Sequence, residues 1–143
     1  MKITLCLSIK FHQEMLNIKT QLINLGHHVE TVEFRDENNV ELSFEKYQKL
    51  FLNASEEWRQ TEKTNAMKRH FEKIANTDGV LVLNYDKNGI ANYIGANTLI
   101  EMGVAMSLNK KIFLYNDIPD LDYTDEISGM NSIVIHTNLT LIN

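Results

Sequence analysis

A single cysteine, Cys6, rules out an internal disulfide framework, and its place in an apolar run gives a buried, inert thiol as the default. Only one proline, Pro119, and six glycines are present, so no Pro/Gly-rich linker divides the chain. No run approaches the roughly 20 apolar residues of a membrane span. The segment Ile3–Leu7 is too short for the core of a signal peptide and is followed by Lys10 and His12, so cytoplasmic residence is the expectation. Lysine and arginine (14) neither cluster nor outnumber aspartate and glutamate (19), and a net charge of -5 without a basic patch argues against nucleic acid and membrane surfaces as partners. The histidines are dispersed apart from His27-His28 and show no recurring ligand spacing, so no metal is expected.

What remains is an alternation of strand and helix patterns. The 143 residues suit one domain, 1–143. Lys2–Ser8, rich in Ile, Thr and Leu, reads as a first strand. Phe11, Met15, Ile18, Leu22 and Leu25 recur at the spacing of one helix face, and Gly26 suits the position just past its end. The alternation through Val29–Phe34 reads as a second strand, and Arg35–Val40 as a loop. From Ser43 to Asn76 the pattern is helical with a break at Asn53-Ala54-Ser55, where Ser55 suits an N-cap. Phe44, Tyr47, Phe51 and Trp58 there fit core, a subunit interface or a lid, and His70 fits a hydrogen-bonded structural histidine. Gly79–Asn84 and Ile112–Tyr115 are apolar enough for buried parallel strands; Tyr123–Met130 reads as a short helix, Ser132–Ile135 as a fifth strand and Asn138–Asn143 as a tail. Five strands alternating with helices predict an α/β fold: a flavodoxin-like, doubly wound parallel sheet of order 2-1-3-4-5 with helices on both faces.

That order puts the switch point between strands one and three and gathers Ser8, Ile9, Lys10, Phe11, Asn84, Tyr85, Asp86 and the helix start at Gly95–Glu101 around one crevice. The first turn lacks G-x-G-x-x-G, which argues against a dinucleotide, and lacks a Ser/Thr/Gly-rich cradle, which argues against flavin; no cofactor is expected. Ser8 and Lys10 fit an anion site at the helix N-terminus or a plain cap with a solvated lysine. Thr98-Leu99-Ile100-Glu101 matches a capping box, in which Glu101 serves only the helix end.

Three segments carry a further likeness: Leu5–Phe11 with Leu25-Gly26-His27, then Asp78–Asn84, then Asn97–Ala105 with its Glu-Met-Gly-x-Ala motif. In this order they resemble the nucleoside 2-deoxyribosyltransferase superfamily, most of all its small deoxynucleotide-hydrolase-like branch. The resemblance implies cleavage or transfer at the N-glycosidic bond of a deoxynucleoside or its 5′-monophosphate, a small-molecule partner and a homo-oligomer. It makes Glu101 the nucleophile that forms a glycosyl-enzyme, and the positive charge of an oxocarbenium-like transition state suits a carboxylate there. Asp86 is the candidate acid for the leaving base, Asn84 and Asn97 are candidates for the sugar hydroxyls, and Tyr85 borders the base. Leu7 stands where the family pattern has Gly beside the serine, and Asn97 lies in a run where it has an acid. A non-catalytic nucleotide-binding domain, with Glu101 as ribose ligand or helix cap, is the alternative class.

Overall fold

A computed structural model describes residues 1–143. Its strands and helices are β1 (Lys2–Cys6), α1 (His12–Asn24), β2 (His28–Glu30), β3 (Phe34–Arg35), β4 (Glu41–Leu42), α2 (Phe44–Asn53), α3 (Glu56–Ala75), β5 (Gly79–Val82), α4 (Ala96–Ser107), β6 (Lys111–Leu114), α5 (Thr124–Gly129) and β7 (Ile133–Val134). The main sheet is five-stranded and parallel throughout, in the order β2-β1-β5-β6-β7. Numbered by sheet strand, this is the expected 2-1-3-4-5. Its centre is β5, apolar on both sides because both faces are covered.

Alternate residues of the central strands feed two cores. Leu81, Leu83 and Phe113 pack with Ile3, Leu5 and the α1 face Met15, Ile18 and Leu22. Val80, Val82, Ile112 and Leu114 pack with Ile74 of α3, Met102 and Ala105 of α4, and Ile127 of α5. The period of two along each strand divides the apolar residues between the two helical layers. Gly26, at φ 90°, ends α1 in a Schellman turn, with His27 N donating to Leu22 O at 3.0 Å and Gly26 N to Ile23 O at 2.9 Å. At Gly79 a side chain is excluded by close approach: a Cβ would lie 2.7 Å from the Lys111 carbonyl oxygen.

Several boundaries differ from the sequence reading. The second strand stops at Glu30; Phe34 and Arg35 leave the sheet and pair antiparallel with Leu42 and Glu41 in a separate ribbon. The Asp36 carboxylate holds the turn between them by accepting from Asn38 N and Val40 N at 2.8 and 2.9 Å. The break between α2 and α3 falls where expected, and Ser55 Oγ accepts from Trp58 N. The final residues are no free tail. Leu139 and Ile142 are buried against the α1-side core through a 3₁₀ turn capped by Asn138.

Candidate active site

The carboxyl ends of β1 and β5 part at the switch point, and a 370 Å³ cavity lies beyond them. Its walls come from the loop after β1 (Leu7, Ser8, Ile9), from His12 and Met15 of α1, and from Phe34 and Tyr47 of the excursion after β2. Lys63, Met67 and His70 of α3, Lys87 and Tyr93, and the start of α4 complete them. Of the aromatic residues left open by the sequence, Tyr47 lines the cavity, and Phe44, Phe51 and Trp58 stand outside the lining. His12 stacks on Phe44 at 4.4 Å, Phe34 contacts both Phe44 and Tyr47, and no α2 residue is fully buried.

Glu101 sits on the cavity floor, 5% exposed. It does not close a capping box. The N-cap of α4 is Gly95, so Thr98 lies inside the helix and Glu101 in its second turn. Glu101 Oε1 instead accepts from Asn97 Nδ2 at 2.8 Å, and Asn97 Oδ1 accepts from Lys63 Nζ at 3.2 Å. The relay Lys63–Asn97–Glu101 fixes one carboxylate oxygen. Oε2 is buried with no hydrogen-bond partner. Burial pushes the Glu101 carboxyl up to about 7, against the lowering pull of Cys6, Lys63 and Asn97. Desolvation therefore outweighs the helix N-terminus, whose dipole favours the ionised form.

His70, on α3, brings Nε2 to 3.8 Å from Glu101 Oε1. Burial, helped by Lys73, lowers its pKa to about 4, so the ring is neutral at pH 7 and the contact is no ion pair. Cys6, the last residue of β1, places Sγ 3.7 Å from the same Nε2. At the mouth, Lys87 Nζ donates to Ser8 Oγ at 2.8 Å and lies 5.5 Å from the Tyr93 ring centroid. The Tyr123 hydroxyl donates to the Ile94 carbonyl and pins the chain just before α4.

Of the residues named from sequence, Ser8, Ile9, Gly95, Asn97 and Glu101 come together on the cavity wall. The others lie elsewhere. Lys10 is exposed, and Phe11 is buried with its ring centroid 5.1 Å from that of Tyr85. Tyr85 is packed between Phe11 and Tyr115, away from the lining. Asn84 is fully buried as a strand-end clamp: Nδ2 donates to Asn116 O at 3.1 Å and Asp117 O at 2.9 Å, and Oδ1 accepts from Asn116 N at 2.8 Å. Asp86 is exposed, outside the cavity lining, and accepts from Asn92 N at 2.9 Å. Sequence reasoning missed Lys63, Met67, Lys87 and Tyr93 and gave His70 a purely structural role. The one signal for the α3 group is helical spacing: Lys63, Met67, His70 and Ile74 share a face.

A larger hollow, 850 Å³, runs between α3 and the edge formed by β2, β3 and the turn after it. Its charges largely pair with one another: Lys73 with Glu33 at 2.7 Å, Arg35 with Glu33 at 2.9 Å and Arg69 with Glu62 at 2.7 Å. Trp58 is its one apolar wall residue. The smaller cavity is the better site, because it is half apolar and holds a buried acid with an unpartnered oxygen.

Among solved structures, a 2-deoxyribosyltransferase from the psychrotolerant bacterium Bacillus psychrosaccharolyticus superposes with a TM-score of 0.51 at 24% identity, over 80% of this chain and 71% of that one. The two chains share a fold. The Clostridium botulinum CMP N-glycosidase BcmB aligns with a TM-score of 0.49 at 18% identity, over 94% of this chain and 84% of that one. No protein-family model and no curated protein matches the sequence. No helix is long and apolar enough to cross a membrane.

Proposed function

We propose that this protein cleaves or transfers at the N-glycosidic bond of a deoxynucleoside or its 5′-monophosphate. The observation that carries the reading is Glu101: a buried carboxylate on the floor of a cavity at the switch point, one oxygen held by Asn97 and the other unpartnered. The fold shared with a protein described as a 2-deoxyribosyltransferase supports it.

In this mechanism the unpartnered Oε2 attacks the anomeric carbon as the C–N bond breaks. The developing positive charge on the sugar favours the ionised carboxylate in an otherwise dry site. Asn97, tied to Lys63, keeps the carboxylate from rotating away, which is a positioning role. Water or a second base then releases the sugar from Glu101. The departing base takes its proton from water; Asp86, exposed and outside the lining, is engaged with the Asn92 N–H, and its loop sets Lys87 and Tyr93 on the wall. Lys87 with Ser8 offers a cation and a hydroxyl at the mouth, suited to a 5′-phosphate.

The test is release of free base from a panel of deoxynucleosides and their 5′-monophosphates, beside Glu101→Ala. Release that disappears in the variant is the expected result. If no substrate releases base while nucleotides still raise the melting temperature, the protein is a binding domain and the enzymatic reading falls.

A further inference from the structure

On the cavity wall and just behind it stand two groups that the glycosidic mechanism does not use, His70 and the fully buried Cys6. Cys6 Sγ and His70 Nε2 are 3.7 Å apart, and His70 Nε2 and Glu101 Oε1 are 3.8 Å apart. All three ligand-type atoms lie within 4.8 Å of one another. We propose that Cys6, His70 and Glu101 form a binding site for a zinc-class divalent cation, whose fourth coordination position opens into the cavity and whose occupancy removes Glu101 from chemistry. The second half of this inference rests on Glu101 being the nucleophile; the first half does not.

Geometry supports the site. With Zn–S about 2.3 Å and Zn–N or Zn–O about 2.0–2.2 Å, the edges of a tetrahedron between such ligands are roughly 3.3–3.6 Å. The two separations at His70 exceed that by only a few tenths of an ångström, and the Cys6–Glu101 edge is no longer than 4.8 Å. The ligands stand on β1, α3 and α4, which are regular elements of the scaffold rather than loops. Their sequence positions carry no metal motif, which is why spacing alone gave no metal.

The donor set selects the cation. One sulfur, one imidazole nitrogen and one carboxylate oxygen suit Zn²⁺ and its borderline neighbours. Mg²⁺ and Ca²⁺ require oxygen shells of six or more. A second observation points to a missing partner. Glu101 Oε2 is buried without a hydrogen bond, on a residue only 5% exposed. His70 and Glu101 line the cavity, and with Cys6 behind them the three reproduce the open arrangement of zinc sites that keep one exchangeable position. Asn97 supplies the outer support by holding Glu101 Oε1. Lys63 and Lys73 are the opposing charges nearby, and Glu33, 2.7 Å from Lys73, offsets the second. On binding, the Cys6–metal bond forms as the thiol proton leaves to solvent.

Co²⁺ is the probe, added to chelator-treated full-length protein. One equivalent is expected to give a near-ultraviolet thiolate-to-cobalt band and intense visible bands of tetrahedral cobalt, both displaced by Zn²⁺. Cys6→Ala is expected to lose the thiolate band, and His70→Gln to weaken affinity by roughly tenfold or more. Zn²⁺ is expected to raise the melting temperature of the wild type and not that of Cys6→Ala. Two separate variants, each checked by circular dichroism, guard against one that fails to fold. Absence of a thiolate–cobalt band in the wild type at millimolar Co²⁺, or wild-type affinity in both variants, overturns the proposal. Zn²⁺ that suppresses base release, with recovery on chelation, supports the second half; bound Zn²⁺ without suppression refutes it. If no substrate is ever turned over but the cobalt bands appear, the metal site stands and the glycosidic reading fails.

Discussion

Replacing Asn84 by alanine separates two roles that a sequence cannot tell apart. As a sugar ligand, Asn84 would govern substrate affinity and leave stability alone. The structure instead ties its side chain to the end of the neighbouring strand through three hydrogen bonds, at 3.1, 2.9 and 2.8 Å, with the residue fully buried. A net 0.5–1.5 kcal/mol for each bond gives a loss of about 3 kcal/mol in Asn84→Ala. Some of this is the cost of leaving the Asn116 N–H and the Asn116 and Asp117 carbonyls without their partner. For a domain of 143 residues, each kcal/mol moves Tm by roughly 2–4 °C, so a fall of roughly 6–12 °C is expected. Urea unfolding should show a lower midpoint at unchanged m, the sign of lost stability rather than an altered denatured state. In the base-release assay, KM should stay within about threefold of wild type once the protein is folded, since a lost ligand hydrogen bond would cost more. A Tm within about 2 °C of wild type, or a large rise in KM at unchanged Tm, would refute the clamp.

Gly79→Ala forces a Cβ against the Lys111 carbonyl and should lower stability by roughly 1–3 kcal/mol, read as a reduced urea midpoint. Asn97→Ala frees Glu101 Oε1 and should cut base release by roughly 100-fold with little change in KM; a rate within about twofold of wild type would exclude the positioning role. Glu33 supplies a pH test. Its hydrogen bond from Lys73, with Arg35 beside it, holds its carboxyl below the usual value, so its contribution is present above the unfolded pKa and lost as pH falls through the folded one. Glu33→Gln should therefore be less stable than wild type at pH 7, with the gap closing in acid; a gap that persists at low pH would show that packing, not charge, is responsible. Asp86→Asn should leave base release within about twofold of wild type, because Asp86 stands outside the cavity and holds the Asn92 N–H; a loss of roughly 100-fold would place it at the leaving base instead.

The sheet was legible because its causes are local. The uninterrupted apolar run of β5, the helix face from Met15 to Leu22, the stop at Gly26 and the Ser55 cap each act within a few residues. Their alternation leaves few topologies to choose among. Phe34 and Arg35 escaped because two-residue strands carry no period, and the last residues because Leu139 and Ile142 are held by a core assembled from elsewhere. The place of Glu101 at the carboxyl edge of the sheet was legible, but its state was not. Whether a carboxyl at a helix start is ionised depends on how deeply other elements bury it, and burial here outweighs the dipole. The same holds for its neighbours. Cys6 read as an inert thiol and His70 as structural because the two stand 64 positions apart and nothing in the chain between them says that β1 and α3 meet. Asn84 and Tyr85 follow a strand end, as ligands often do, yet their side chains turn to Asn116 and Tyr115. Sequence determined which residues stand at the carboxyl edge of the sheet. Tertiary packing decided which of them face the cavity and which charges are left without water, because a side chain's partners are set by the elements packed against it.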